Sequence, residues 1–514
     1  MNIQNKLPFL KNIKSLYIKK KKVINILLAL LLILILSSLT RFYKLGDPQG
    51  LVFDENYFIP IIQKYIRGEF IAEPHPPLGQ LLMTSGTIVF SQNKTNVILD
   101  PNYDNIGTYR ITSILFGIFI PIIVFFLTKF FTKSNAFSLL SGLLIVFDNA
   151  LIVQTRYALF DEIMILFILT SLLFTLYYIR YVKSAKLEIF KKKNISKRFF
   201  LLILASVFAG LALSTKLIGI MSTGFLYLSI LYKTYKDRYK LDLKTNVFII
   251  LQLIIPAFII SGIFLFSYYI HFSLFKLPGE NIEEFSPEYQ ECIYKGKNEC
   301  KLSLIQKVKE NINWSLNYEK HVPALDYCKD DEIGSNPYEW PFMSRTISYF
   351  FTNYDGIPLK EISYIYLFGN PINWFLGLTG LIISLSLVFA SIFHFKSFVN
   401  KNILIILFCY FVSFVPYFFI ERVMYFYHYL LSFIFSIILF VVILQLFYHK
   451  HLKYRLNKIL KILLFLIFNL IIIISFLIYS PLTYNIKINI NYAKKINILK
   501  IWHFKADPFN YEKN

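Results

Sequence analysis

Long apolar runs, each near the length of a membrane span, follow one another along this chain and restrict it more than any other feature. A bilayer core needs about 20 apolar residues per helix. Candidate spans fall at 23–40, 110–128, 136–154, 162–180, 199–214, 217–232, 246–270, 372–393, 402–420, 425–447 and 462–481. The chain has 514 residues, of which 56% are hydrophobic and 18% aromatic. A soluble protein of this length cannot bury so much apolar surface, whereas lipid removes the need. The reading is an all-α polytopic membrane protein with about eleven transmembrane helices.

The formal charge of +23, from 54 basic and 31 acidic residues, raises the question of nucleic acid. The basic residues fall in short blocks between apolar runs, a placement that suits anionic lipid headgroups and sets orientation. No nucleic-acid partner is expected. Lys19 to Lys22 precede the first span without a small-residue cleavage site, which reads as an uncleaved anchor with residues 1–22 in the cytoplasm. Alternation then places Lys191 to Arg198, Lys233 to Lys244, Lys396 to Lys401 and Lys450 to Lys461 on the same side, with Glu188, Asp237 and Asp242 the few acids among them. Two long polar segments, 41–109 and 271–371, and the tail 482–514 face outward. The organisation is an N-terminal transmembrane core over 23–270 and C-terminal helices over 372–481. Apolar stretches at 57–66 and 78–90 suit helices lying in the interface.

Cys409 lies in an apolar run, and Cys292, Cys300 and Cys328 share one long polar segment. A Cys292–Cys300 bridge and three free thiols both remain open. Their spacing with His321 matches a zinc site poorly.

Charges near membrane depth are costly and are functional candidates by default. Asp54 and Glu55, Arg110, Arg156, Asp161 and Glu162, Lys216, Arg422 and His428 all map to the outer side under a topology fixed by other residues. An acidic pair supplies a general base and a group that tunes it, and arginine presents a planar fork to phosphate. His75 is presented by the rigid break at Pro76-Pro77. Together these suggest a lipid-phosphate substrate.

The strings Phe53-Asp54-Glu55 with Tyr57-Phe58, His75-Pro76-Pro77-Leu78-Gly79 and Tyr109-Arg110-Ile111-Thr112-Ser113 occur in this order, followed by Phe147-Asp148-Asn149, Gln154-Thr155-Arg156 and Leu159-Phe160-Asp161. Gly210 through Gly219 with Ser214-Thr215-Lys216, then Ser335 to Pro341 with Arg345, Phe368 to Pro371 with Trp374, and Pro416-Tyr417, Arg422 and Tyr425 to Tyr429 complete the series. In sequence they resemble the polyprenyl (dolichyl) phosphate mannose protein mannosyltransferases, C-type membrane glycosyltransferases. Gln80 stands where that family usually has lysine, Glu73-Pro74 where it has an acid and a small apolar residue, and Glu162 where a small polar residue is common. The outer loop of about 100 residues has no room for the β-trefoil insert of eukaryotic members, which is similar to prokaryotic ones.

The resemblance implies transfer of mannose, with inversion, from a polyprenyl phosphate to serine or threonine hydroxyls of proteins at the outer face of the cell membrane. In that reading Asp54 takes the acceptor proton and Glu55 supports it or the sugar. Arg110 and Arg422 stabilise the phosphate, assisted by Lys216, while His75, Arg156, Asp161, Trp340, Arg345 and His428 shape the pocket or the acceptor path. The partners are the donor lipid, a protein acceptor and membrane lipids, with the oligomeric state left open. No cofactor is implied, and a divalent ion at Asp54-Glu55 finds no ligand spacing to support it. Rival readings are a related transferase acting on lipid A, phospholipid or cell-wall glycan, and a transporter of a lipid-linked substrate, which clustering of charges at one face disfavours.

Overall fold

The computed structural model describes residues 6–91, 105–181, 192–237, 243–294, 300–329, 332–354, 360–393, 399–499 and 502. The loops carrying Glu188, Lys191, Asp242 and Lys396, and the tail beyond 502, lie outside the described residues.

Helix α1 (Lys6–Phe42) leads into α2 (Glu55–Arg67) and α3 (Leu78–Phe90), both on the first polar segment. Then come α4 (Ile106–Thr132), α5 (Asn135–Val146), α6 (Asn149–Arg156), α7 (Asp161–Tyr181), α8 (Lys192–Thr215), α9 (Ile220–Asp237) and α10 (Leu243–Leu274). The second polar segment holds α11 (Pro287–Tyr294), α12 (Leu304–His321) and a hairpin of β1 (Ile347–Asn353) and β2 (Glu361–Leu367). Helices α13 (Pro371–Phe393), α14 (Lys401–Phe414), α15 (Leu430–Phe447) and α16 (Lys458–Thr483) follow, with β3 (Ile488–Asn489) and α17 (Ile490–Ile496) at the end.

Among the described residues ten helices are long and apolar enough to cross a membrane. The run 136–154, expected as a span, is the pair α5 and α6 bent by 61°, which makes an eleventh span if the two are taken as one. The cause is local. Asp148 leaves the helical region and its side chain caps α6 by accepting from Leu151 N at 3.1 Å. The carbonyls freed at the break are met by side-chain amides: Asn370 donates to Phe147 O at 3.0 Å and Asn373 to Leu144 O at 2.7 Å. Irregular backbone at this depth is tolerable because protein buries and satisfies it.

Helices α7 and α15 run through the middle, with 78% and 72% of their apolar windows buried, against 22% for α1, α10 and α13. The latter expose rows of leucine, isoleucine and phenylalanine, such as Leu27, Leu31, Phe258 and Phe389. Apolar faces of that extent need lipid.

The two polar segments and the tail pack together at one end of the bundle. Gly68, in the left-handed region at the end of α2, accepts at its carbonyl from Lys276 N at 2.7 Å, and Phe70 N donates to Leu277 O at 2.9 Å. Strand β2 pairs antiparallel with β1 on one side and β3 on the other. This small sheet was not expected from the helical spacing, and it ties the end of the last span to the loop before α13. In the same loop Cys292 and Cys300 are joined by a disulfide, whereas Cys328 and Cys409 are free.

Candidate active site

Asp54 and Glu55 are neighbours in sequence and divided in space. Glu55 is fully buried and fully engaged. Its Oε1 accepts from Arg110 Nε at 2.9 Å and Ala158 N at 2.8 Å, and its Oε2 from Arg110 Nη2 at 2.8 Å and Val52 N at 2.9 Å. Asp54 sits just before α2 and caps nothing; its carboxylate has no hydrogen-bond partner among the described residues. It keeps some accessible surface while protein surrounds it. Burial pushes its carboxyl up to about 7, opposed by the Lys216 ammonium and reinforced by the Asp161 carboxylate. One carboxylate of the pair is therefore scaffold and the other is open to a ligand.

Facing Asp54 is a second pair. Lys216, at the break between α8 and α9, donates to Asp161 Oδ1 at 2.7 Å, with both side chains little exposed. Its ammonium also lies 5.3 Å from the Phe160 ring and 5.5 Å from the Tyr427 ring. Gln154 donates to Asp161 Oδ2 at 3.4 Å. His75 packs edge-on to Phe160, with ring centroids 5.6 Å apart. Pro77 starts α3, and Gly79 lies so close to Phe160 that an added Cβ would stand 2.9 Å from its ring. That contact fixes the whole His75 string against the start of α7. Burial, followed by Lys216, Arg422 and His428, holds the His75 imidazole well below the usual histidine range, hence neutral. Glu73 is buried beside it, and burial raises its carboxyl to about 7.

The segment between α14 and α15 closes the cleft. Arg422 pairs with Glu319 of α12, Nε to Oε2 at 2.5 Å, and donates from Nη1 to its neighbour Val423 O at 3.2 Å. The rest of its guanidinium carries no further partner among the described residues. His428 Nδ1 lies 2.9 Å from Tyr425 O. A carbonyl only accepts, so Nδ1 carries the hydrogen and Nε2 is left as an acceptor. The His428 ring stacks on Tyr427 at 4.4 Å and on Trp340 at 6.1 Å. Trp340 is fully buried and donates to Ser335 Oγ at 2.9 Å, so it backs the histidine from within the core.

Three arginines expected at the pocket are placed otherwise. Arg110 is fully buried; besides Glu55 it donates to the carbonyls of Leu45, Pro48 and Gly50, which accounts for all five of its N–H groups. Arg156 is likewise buried and donates to the carbonyls of Arg41, Tyr43, Lys44 and Thr483. Both hold the loop after α1 in place, since backbone carbonyls that leave a helix at this depth need donors. Arg345 lies over the Tyr327 ring at 3.7 Å and beside Glu339 at 3.4 Å, in the outer loop and without a contact to the Asp54 group. The structure thus unites Asp54, His75, Asp161, Lys216, Arg422 and His428, and it adds Glu73, Gln154, Glu319, Tyr349 and Tyr427. Glu73 and Gln154 stood inside recognisable strings, but nothing in sequence signalled Glu319 or Tyr349.

An open carboxylate opposite a lysine, in a cleft that also holds neutral imidazoles and an arginine near them, can accept a proton while facing an anion. Among the described residues no group of three or more His, Cys, Asp or Glu side chains stands ready to hold a metal ion.

Helix order and site together define a polytopic membrane protein with the C-type glycosyltransferase fold. A model of the dolichyl-phosphate-mannose-protein mannosyltransferases matches residues 31–276, and one of the C-terminal four-span region of protein O-mannosyltransferase matches 311–502. The chain belongs to the protein O-mannosyltransferase family. Dolichyl-phosphate-mannose–protein mannosyltransferase 4 of Candida albicans is 28% identical over 281 residues, covering 52% of this chain and 36% of that protein. The protein of the same name from Schizosaccharomyces pombe is 26% identical over 302 residues, covering 55% and 36%. The matched part thus spans little more than a third of these relatives' length. The Saccharomyces cerevisiae protein O-mannosyltransferase Pmt1–Pmt2 complex bound to the sugar donor shares the fold with a TM-score of 0.79 at 14% identity over 95% of both chains. The apo oligosaccharyltransferase of Archaeoglobus fulgidus gives a TM-score of 0.54 at 12% identity, over 95% of this chain and 59% of the other.

Proposed function

We propose that this protein transfers a mannosyl residue from a polyprenyl phosphate to serine or threonine hydroxyls of proteins, with inversion, in a cleft on the extracytoplasmic side of a cell membrane. The observation that carries the reading is Asp54, an unpaired carboxylate facing Lys216, with Arg422 acting on the adjoining His75, within a chain of this family. The acceptor oxygen forms a bond to the anomeric carbon as the bond from that carbon to the phosphate oxygen breaks. The hydroxyl proton passes to Asp54, and the electron pair leaves with the polyprenyl phosphate. A carboxyl raised toward neutrality is a stronger base than an exposed one and still ionises near pH 7. Lys216 and Arg422 stabilise the charge that grows on the phosphate. His75 and His428 line the path between them, and Asp161 holds Lys216.

Glu55, Arg110 and Arg156 support the loop that carries Asp54 rather than touching the donor, and Trp340 supports His428. The outward side is the one bearing the loop 271–371 and the segment after α16. Two features support this: the basic blocks sit at the other ends of the spans, and the Cys292–Cys300 disulfide suits an oxidising compartment.

The test is purified protein in nanodiscs with radiolabelled polyprenyl phosphate mannose and serine/threonine-rich peptides, beside phospholipid and lipid A acceptors. Labelled peptide is expected, and its loss in Asp54→Asn at normal membrane insertion. Label found only in a lipid acceptor would overturn the protein-acceptor reading.

A further inference from the structure

Strand β1 pairs with β2 in a regular antiparallel register except at one point: Ser348 faces Tyr366 and Phe350 faces Ile365, which leaves Tyr349 as the extra residue of a bulge. A bulge re-aims one side chain while the strand continues, and such features recur beside active sites. Here it turns the Tyr349 side chain out of the hairpin and into the bundle, where it is 5% exposed.

Two contacts follow from that turn. The Tyr349 ring stacks on Phe53 with centroids 4.2 Å apart and planes 7° from parallel. Its hydroxyl donates to Gln154 Oε1 at 2.5 Å, and Gln154 Nε2 in turn reaches Asp161, the partner of Lys216. One tyrosine therefore touches both halves of the cleft. The first contact bears directly on Asp54. Phe53 has φ +51°, a left-handed conformation that costs a bulky L-residue energy and persists only where surroundings enforce it. Phe53 immediately precedes Asp54, so the torsion held by the Tyr349 stack sets where the carboxylate points. The phenol itself is no acid at working pH: burial, and then the carboxylates of Asp54, Asp161 and Glu162, hold it well above the usual tyrosine range.

We infer that Tyr349, delivered by the outer-loop hairpin, is a positioning residue that sets Asp54 against the Asp161–Lys216 pair through Phe53 and Gln154. The inference rests on the transfer activity proposed above. It makes the hairpin part of the catalytic apparatus, although no residue from it was among the sequence candidates. It also separates two roles in one side chain: the ring fixes Asp54, and the hydroxyl fixes Lys216.

The experiment compares Tyr349→Phe, Tyr349→Ala, Gln154→Leu and the double variant Tyr349→Phe/Gln154→Leu with the unaltered protein, in nanodiscs, with labelled polyprenyl phosphate mannose and a peptide acceptor. Tyr349→Phe keeps the stack and is expected to lower kcat about 5- to 20-fold, the scale of one lost buried hydrogen bond, with acceptor KM within about twofold. Gln154→Leu should match it, and the double variant should be no worse than either single change, because both break one chain of contacts. Tyr349→Ala should fall at least a further 10-fold, with the thermal midpoint of every variant measured as the control for folding. Normal kcat in both Tyr349→Phe and Gln154→Leu, or fully additive losses in the double variant, would overturn the inference. Absence of transfer in the unaltered protein would instead remove the activity on which it rests.

Discussion

Arg110 and Glu55 stand 55 positions apart and form a fully buried, two-point ion pair, Nε to Oε1 at 2.9 Å and Nη2 to Oε2 at 2.8 Å. Every remaining N–H of the arginine holds a carbonyl of the loop that runs from α1 to Asp54. The pair is a brace for the segment that ends at Asp54.

Breaking that brace is expected to cost stability before it costs anything else. Arg110→Met leaves the Glu55 carboxylate buried with only two backbone donors, a loss of roughly 3–5 kcal/mol. Thermal unfolding in detergent should show a large drop, with Arg110→Lys only partly restoring it because the fork is gone. A stable variant with weakened donor binding would return Arg110 to the phosphate.

Transfer should rise with pH through about 7. The ionised Asp54 is the competent base, and burial places its carboxyl at about 7 in the free protein. The Lys216 ammonium pulls that value down, so Lys216→Met should move the rising limb of kcat/KM to higher pH as well as lowering the plateau. A pH–rate profile of both proteins measures it, and a limb moving to lower pH would contradict the arrangement.

Glu319 holds Arg422 at Nε, and the guanidinium keeps N–H groups without a partner among the described residues. Arg422→Ala should reduce kcat by about 10- to 150-fold, the range for a lost hydrogen bond to a charged group. Glu319→Gln should have a smaller effect of the same sign, since it only loosens the guanidinium. Single-turnover assays with saturating donor distinguish these from a binding defect.

Asp148 caps α6 and also accepts from Asn370 N at 3.1 Å. Asp148→Ala removes both bonds at the bend and should destabilise the protein by about 1–3 kcal/mol. Thermal unfolding in detergent is the measurement; no change would mean the bend is held by the asparagines alone.

The site was partly legible from the chain. Asp54 stood out because an acidic pair between aromatics at a span end has no cheap structural explanation, and Lys216 and Arg422 because cations at membrane depth need partners. Local chemistry could not tell Asp54 from Glu55, and only the family resemblance gave the proton to Asp54. The two share one string, and only the position of Arg110 decides which carboxylate is taken up. Arg110 was assigned to the phosphate because arginine suits it, and Arg156 to the pocket or the acceptor path. Backbone carbonyls are equally good acceptors, and nothing local shows that three of them converge on Arg110 and four on Arg156.

Hydrophobic length by itself determined that the chain is a helical membrane protein, nearly where each span runs, and which ends of the spans carry charge. Those are properties of single segments in contact with lipid, and every segment reveals them alone. Tertiary structure decided the bend at Asp148, the brace at Glu55, the pairing of Lys216 with Asp161 and the entry of Tyr349 from a distant hairpin. The last three depend on donors and acceptors brought together across more than 50 residues; at the bend the Asp148 cap is local, and only the bonds from Asn370 and Asn373 come from afar. No local pattern records such meetings.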